Sequence, residues 1–427
     1  ENVVLKSFPL FDIERVEVLR GPQGSLFGRN TTAGIVKFDS YKPTQDFEGR
    51  AKLDAGELGT LNFEGAVGGG LTDSLSGRIA VLYQNRDDYI DNDFTGKSDA
   101  LGGFEEQAMK GFLRWEATED LSFLLGAHYR DLEGTSATFR ANIFDPGDND
   151  LNNNYDRETV FFDGGDDNPQ EYEASGVNLK IDWGLGDMTL TSITAWDESD
   201  GFSRGDIDGG FGAGSPPDSG PGPILFPSES RDDADAEQIT QEFRLASDYG
   251  DQFNWQVGVF FFDSELEVTT DPGFNIATVL HENTTWAVFG QGDYAFSDAW
   301  TLTAGLRWTD DEKDLTAPGY DLSVSDDQVS GDIALSFAAD DRSLFWGKLG
   351  TGFRAPTIQG RDIAFFGAPS VADSETITSF EVGYKSQFID DTMRLNAAIF
   401  FYELDDIQFT AGGGSGNNIS LINADTG

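Results

Sequence analysis

From about residue 48 onward, apolar and polar positions alternate with a period of two, segment after segment. In 299–310, Trp300, Leu302, Ala304, Leu306 and Trp308 share one parity, and Thr301, Thr303, Arg307 and Thr309 share the other. In 392–403, Met393, Leu395, Ala397, Ile399 and Phe401 alternate with Arg394, Asn396, Ala398, Phe400 and Tyr402. In 108–117, Met109, Leu113, Trp115 and Ala117 oppose Lys110, Arg114 and Glu116. Successive side chains of a strand point to opposite sides, so each segment predicts a strand with one apolar and one largely polar face. The runs last about 10–14 residues, against about 5–6 in ordinary globular strands and about 9–11 in a tilted membrane strand. Length therefore separates a membrane strand from a sandwich strand better than pattern does.

The links between runs alternate short and long. Short ones fall at 71–74, 118–120, 184–187, 247–251, 296–299, 338–341 and 388–391, each with Asp or Gly, residues that tolerate tight-turn dihedrals. Long ones fall at about 87–103, 132–173, 201–235, 267–283, 315–325 and 353–375. An outer-membrane barrel has this asymmetry, with short periplasmic turns and long extracellular loops; a sandwich or propeller has no cause to lengthen every second link. About sixteen strands are predicted. Trp115, Trp183, Trp255, Trp286, Trp300, Trp308 and Trp346 lie inside them, several near an end, as an interfacial aromatic girdle requires.

Composition narrows the function classes. The 427 residues contain 76 acidic and 28 basic side chains, a formal net charge of −48, which speaks against a nucleic-acid partner. Cysteine is absent, which removes disulfides and thiolate metal sites, and His128 and His281 are the two histidines. No apolar run is long enough for a membrane-spanning helix. Glycine (51) and phenylalanine (35) are abundant although apolar residues reach only 38%, a mixture suited to strands with one lipid face and one wet face. No signal peptide precedes Glu1, which stands directly before a strand-like segment and reads as a contig edge. No catalytic constellation stands out, so no enzymatic activity and no cofactor are expected. The long loops are acidic: 141–173 holds ten Asp and Glu against one Arg. Asp145, Asp148 and Asp150 offer hard oxygen ligands for calcium, but their spacing fits no EF-hand, and a solvated acidic surface accounts for them equally well.

The amino-terminal stretch has another character. Residues 13–38 read IERVEVLRGPQGSLFGRNTTAGIVKF. A strand through Leu19 meets a turn at Gly21-Pro22-Gln23-Gly24, in which Pro22 presets its dihedral and the glycines permit close backbone approach. A glycine-rich loop follows, and a second strand runs through 35–38. The spacing is not that of a phosphate-binding P-loop, and the chain has no nucleophile elbow of the form G-x-S-x-G.

This segment resembles the end of the plug domain of TonB-dependent receptors, almost without departure over about 26 residues. Downstream, Gly352-Phe353-Arg354-Ala355-Pro356, the strand 375–385 and the strand 395–402 resemble that family's barrel. The resemblance implies an antiparallel all-β transmembrane barrel, 22-stranded in the family, with about sixteen strands present here and the carboxyl-terminal remnant of an α+β plug. Residues 1–43 would belong to the plug and 44–427 to the barrel. The TonB-contacting segment and about six strands would lie outside 1–427, so the segment alone is not expected to close.

The resemblance further implies an outer-membrane receptor of a Gram-negative bacterium that imports a scarce nutrient, foremost a ferric siderophore, with the TonB energy-coupling complex and outer-membrane lipid as partners. Arg15, Arg20, Gly21, Pro22, Gly24, Gly28, Arg29, Asn30 and Gly34 form the plug motif. Arg20 and Glu381, the latter on the parity expected to face the plug, are the candidate plug–barrel lock. A passive porin is the competing class, and the plug motif counts against it; glycan or cobalamin import is the other alternative. The ligand-binding residues and the ligand stay open.

Overall fold

The computed structural model describes residues 9–426 apart from 137, 142, 146, 148, 208, 211–228, 248–251, 389–391 and 414–417. Two strands open it, β1 (Ile13–Arg20) and β2 (Gly34–Ser40), paired antiparallel as a hairpin with Val16 opposite Phe38 and Val18 opposite Val36. A sixteen-stranded antiparallel sheet follows. Its strands are β3 (Glu48–Ala55), β4 (Leu61–Thr72), β5 (Leu75–Arg86), β6 (Phe104–Glu116), β7 (Leu121–Thr135) and β8 (Pro169–Gly184). Next come β9 (Met188–Asp206), β10 (Glu229–Ser247), β11 (Phe253–Asp271), β12 (Ala277–Ser297) and β13 (Trp300–Ala317). The last are β14 (Tyr320–Asp340), β15 (Ser343–Arg354), β16 (Glu375–Phe388), β17 (Met393–Gly413) and β18 (Asn418–Thr426). Each strand pairs with its sequence neighbours, and among the described residues the end strands β3 and β18 do not pair with each other.

The alternation sorts the two faces as the sequence predicts. Leu306, Trp308, Val329, Ile333, Phe380, Val382, Ile399 and Phe401 are exposed on the outer face, where a membrane would cover them. Lys110, Arg130, Glu106, Arg307 and Asp311, of the opposite parity, are buried on the inner face. Trp300 and Trp308 share the outer face eight residues apart, about 26 Å along the strand at about 3.3 Å per residue, a spacing suited to the two edges of a lipid band. Trp346 departs from the girdle expectation: it points inward, where its Nε1 donates to Glu381 at 2.8 Å.

Two of the expected long loops, 267–283 and 315–325, are largely strand, and most of a third, 201–235, lies outside the described residues. The hairpins β9–β10, β11–β12 and β13–β14 stay paired well beyond the apolar band, and β13 and β14 are joined only by Pro318 and Gly319. Above the lipid both faces meet water, so polar residues no longer mark a strand's end. Cross-strand contacts such as Thr269 to Thr278 at 2.8 Å and Thr270 to Asp232 at 2.6 Å extend the ladder instead.

Candidate functional site

The amino-terminal hairpin lies inside the curved sheet and is fastened to it at two places. At the first, Phe11 is 1% exposed in a recess made by small residues, Ala66 on β4, Ala80 on β5 and Ala108 on β6, with Leu82 closing one side. Burying a phenylalanine side chain contributes up to about 3 kcal/mol. Asp12, beside it, takes a left-handed backbone conformation (φ 50°) that a non-glycine residue seldom adopts. Three partners hold it there. Arg78 donates to both Asp12 oxygens, at 2.7 and 2.6 Å, Arg50 lies 3.0 Å from Oδ1, and the Asp12 amide donates to Glu64 at 3.0 Å. The Arg78 and Arg50 guanidinium groups also sit 4.9 Å from the Tyr41 ring centroid. Lys110 donates to the Phe11 carbonyl and, at 2.8 Å, to Ser40 Oγ, tying both ends of the hairpin to one wall.

The second fastening is the corner between β1 and β2. Here a single helical turn, Gly24–Phe27, packs against β12 to β15. Gly24 is required for contact, not for its dihedral: a Cβ there would lie 2.7 Å from Ser330 Cβ and 2.9 Å from the Thr351 carbonyl. Gly28 is required for both reasons, since φ is +77° and a Cβ would lie 2.9 Å from the Arg307 guanidinium. Ser25 donates to Asp332, and Arg29 pairs with Asp311. Asp311 is fully buried and also receives Thr285 Oγ1 at 2.7 Å and Lys313 Nζ at 3.0 Å. Arg29 additionally stacks over Phe262, 4.9 Å from its centroid. Between the fastenings, Lys37 donates to Asp39 at 2.9 Å; the Lys37 and Arg15 contacts hold the Asp39 carboxyl below its ordinary value.

Asn30 reaches past the wall to the loop that follows β15. Its amide donates to the Phe353 carbonyl at 2.8 Å, and its Oδ1 accepts from the Ala355 amide at 3.2 Å. That loop, 355–374, folds inward. Ile358, Ile363 and Ala364 pack on Ala277, Val279 and Leu315 of β12 and β13. The Gln408 amide group donates to the Ala355 and Asp373 carbonyls, at 2.9 Å each.

Several motif residues are thus brought together: Gly24, Gly28, Arg29 and Asn30 meet the wall. Gly21 and Pro22 shape the turn, with Gly21 at φ +73°, and Gly34 (φ +133°) closes the hairpin opposite Arg20. The proposed lock is not formed. Arg20 lies exposed at the hairpin end with its carbonyl accepting from Gln23, Glu381 is taken by Trp346, and among the described residues no ion pair joins them. Arg15 likewise stays within the hairpin, on Asp39 at 2.8 Å. What sequence reasoning missed are the wall partners Arg78, Asp311 and Asp332. Each lies on the inner-facing parity, a signal that gives the face but not the partner. Of the calcium candidates, Asp148 lies outside the described residues, and among the described residues no group of three or more acidic, His or Cys side chains is placed to hold a metal. His128 faces inward, 3.4 Å from Asp197.

Residues 110–427 match the family model for the TonB dependent receptor-like β-barrel, and residues 1–35 match that for the TonB-dependent receptor plug domain. Among curated proteins, the pesticin receptor of Yersinia enterocolitica is 25% identical over 94% of this chain and 58% of its own length. The ferrioxamine B receptor of Salmonella typhimurium is 34% identical over 29% of this chain and 17% of its own length. The chain therefore spans about 58% of the pesticin receptor it matches. Among solved structures, the ferric yersiniabactin uptake receptor of Yersinia pestis superposes with a TM-score of 0.77 at 19% identity, covering 96% of this chain and 62% of that one. The ferripyoverdine receptor of Pseudomonas aeruginosa, bound to ferripyoverdine, gives 0.74 at 15%, covering 96% and 56%. At these identities the superpositions speak for the fold.

Proposed function

The chain belongs to the TonB-dependent receptors, outer-membrane β-barrels with an internal plug, and from that premise we propose that the protein imports a ferric siderophore with energy supplied through the TonB complex. The observation that carries this reading is the plug corner seated inside the barrel wall, with Arg29 on the buried Asp311. An open diffusion channel has no use for a segment fastened across its lumen. The names of the relatives support the cargo: ferrioxamine B and ferripyoverdine receptors are among them, and the structural neighbours include a ferric yersiniabactin uptake receptor. We assign the plug to 1–43 and the barrel to 44–427, a reading supported by the link between Ser40 and Glu48.

On this reading the two fastenings play different parts in gating. Phe11 and Asp12 sit in an apolar recess with a bidentate ion pair, while the corner is held by polar contacts that a pull on the plug breaks one at a time. The test is growth under iron limitation of a strain deleted for the full-length gene, supplied with ferric hydroxamate, catecholate and phenolate chelates in turn. One chelate is expected to support the parent and not the deletion strain, and inactivating TonB is expected to abolish the difference. Equal growth on every chelate would overturn the siderophore reading; loss of growth on a glycan or cobalamin instead would reassign the cargo.

A further inference from the structure

We infer that the loop 355–374 is a strap that makes the plug corner and the outer mouth of the barrel move as one body, with Asn30 as the positioning residue at its inner end and Phe274 at its outer end. The inner attachment is the pair of Asn30 hydrogen bonds to Phe353 and Ala355. The strap is held firmly along its length. Lys313, which also lies 3.0 Å from the Asp311 carboxylate that binds Arg29, donates to the Pro356 carbonyl. Ile358 and Ile363 are buried against β12 and β13, and Asp362 accepts the Ile419 amide of β18 at 2.7 Å.

At the outer end the short helical turn Arg361–Phe365 delivers two rings to the loop between β11 and β12. Phe274 stacks on Phe366, 5.8 Å apart at 26°, and meets Phe365 edge-on at 6.0 Å. The adjacent Asn275 amide donates to the Ile363 and Ala364 carbonyls at 3.0 and 3.1 Å. Phe366 reaches this position at φ 61°, a left-handed conformation that a bulky apolar residue seldom adopts. Phe274 in turn borders a cavity of ≈ 590 Å³ bounded, among the described residues, by Phe162, Lys97, Asp166, Arg204 and Glu229 as well. One continuous set of contacts therefore runs from the mouth cavity through Phe274, the strap and Asn30 to the Arg29–Asp311 pair. Whatever shifts either end is felt at the other, and linkage makes that coupling reciprocal.

The test needs no ligand, so it stands or falls apart from the siderophore reading. The full-length receptor, freed of any other cysteine, is reconstituted in lipid with a nitroxide on Ala368→Cys, an exposed strap position, or on Asp321→Cys, at the tip of the β13–β14 hairpin. Asn30→Ala removes the side-chain acceptor of the Ala355 amide, and the mobile fraction of the Ala368 label is expected to rise about fivefold, the worth of one lost hydrogen bond. The Asp321 label is expected to be unchanged, and Asn30→Asp, whose carboxylate can accept the same amide, to restore the parent spectrum. An unchanged Ala368 label, or equal loosening at both labels, would overturn the strap. Should Asn30→Ala fail to reach the membrane, Phe274→Ala with a label on Phe27→Cys at the plug corner decides it. Loosening at the corner supports the coupling, and an unaltered corner overturns it.

Discussion

Asp311 gathers Arg29, Lys313 and Thr285 around one carboxylate with no exposure to solvent. Such a group is costly to bury alone and is tolerated because Oδ2 accepts from Arg29 and Thr285 while Lys313 stands 3.0 Å from Oδ1. The two halves of the pair are not equivalent. Asp311→Ala leaves both Arg29 and Lys313 half-buried without their counter-ion, and the folded receptor is expected to lose about 3 kcal/mol, read as a lower thermal midpoint in detergent. Arg29→Ala leaves Asp311 with Lys313 and Thr285, and its loss is expected to be less than half as large. Equal losses in the two variants would mean that Lys313 does not compensate the carboxylate. Asp12 follows the same physics with an added strain, since its left-handed backbone persists only while Arg78 and Arg50 hold its oxygens.

On the proposed reading, the β1–β2 hairpin is the element that import would have to move. Its eight-residue first strand spans about 26 Å at about 3.3 Å per residue, and its two fastenings lie on β4 to β6 and β12 to β15, six pairings apart in the sheet. It therefore crosses the lumen instead of following the wall. If transport requires the corner to leave the wall, a covalent bond there should stop it. Ser25 Cβ lies 3.1 Å from an ideal Cβ on Gly305, a few tenths of an ångström short of the usual disulfide separation. The Ser25→Cys, Gly305→Cys variant is expected to abolish uptake of the cognate chelate when oxidised and to regain it on reduction. Uptake with the bond intact would confine the movement to residues preceding the corner. The wall hairpins show the opposite behaviour: β11–β12 and β13–β14 run on past the lipid band because ladder bonds cost the same there and polar pairs replace apolar ones.

At the scale of the whole molecule, the sheet resists opening because every internal strand has both edges paired, while lipid offers no partner to a freed amide. The full-length receptor, extracted in SDS without heating, is expected to migrate ahead of the boiled protein. A single mobility at every temperature would argue against a closed barrel. Buried charges such as Glu106, Arg130, Arg307 and Asp311 lie on the inner face, and exposed apolar side chains such as Leu306, Val329 and Ile399 are left on the outer face for lipid.

The sequence alone determined the strand periodicity, the two faces of the sheet, the short turns and the plug motif. Each depends on local chemistry: the two-residue repeat of a strand, the dihedral freedom of glycine, and the restriction imposed by proline. It put Lys110 and Arg307 on the polar side of their strands but paired Arg20 with Glu381, because alternation fixes which way a side chain points and not what stands opposite it across a lumen. Tertiary structure decided that Arg29 meets Asp311, that Phe11 fills a recess of alanines and that Trp346 covers Glu381. It also turned the loop 355–374 inward to reach Asn30. These partners lie dozens to hundreds of residues apart, and only closing the wall around the hairpin brings their atoms within hydrogen-bonding reach.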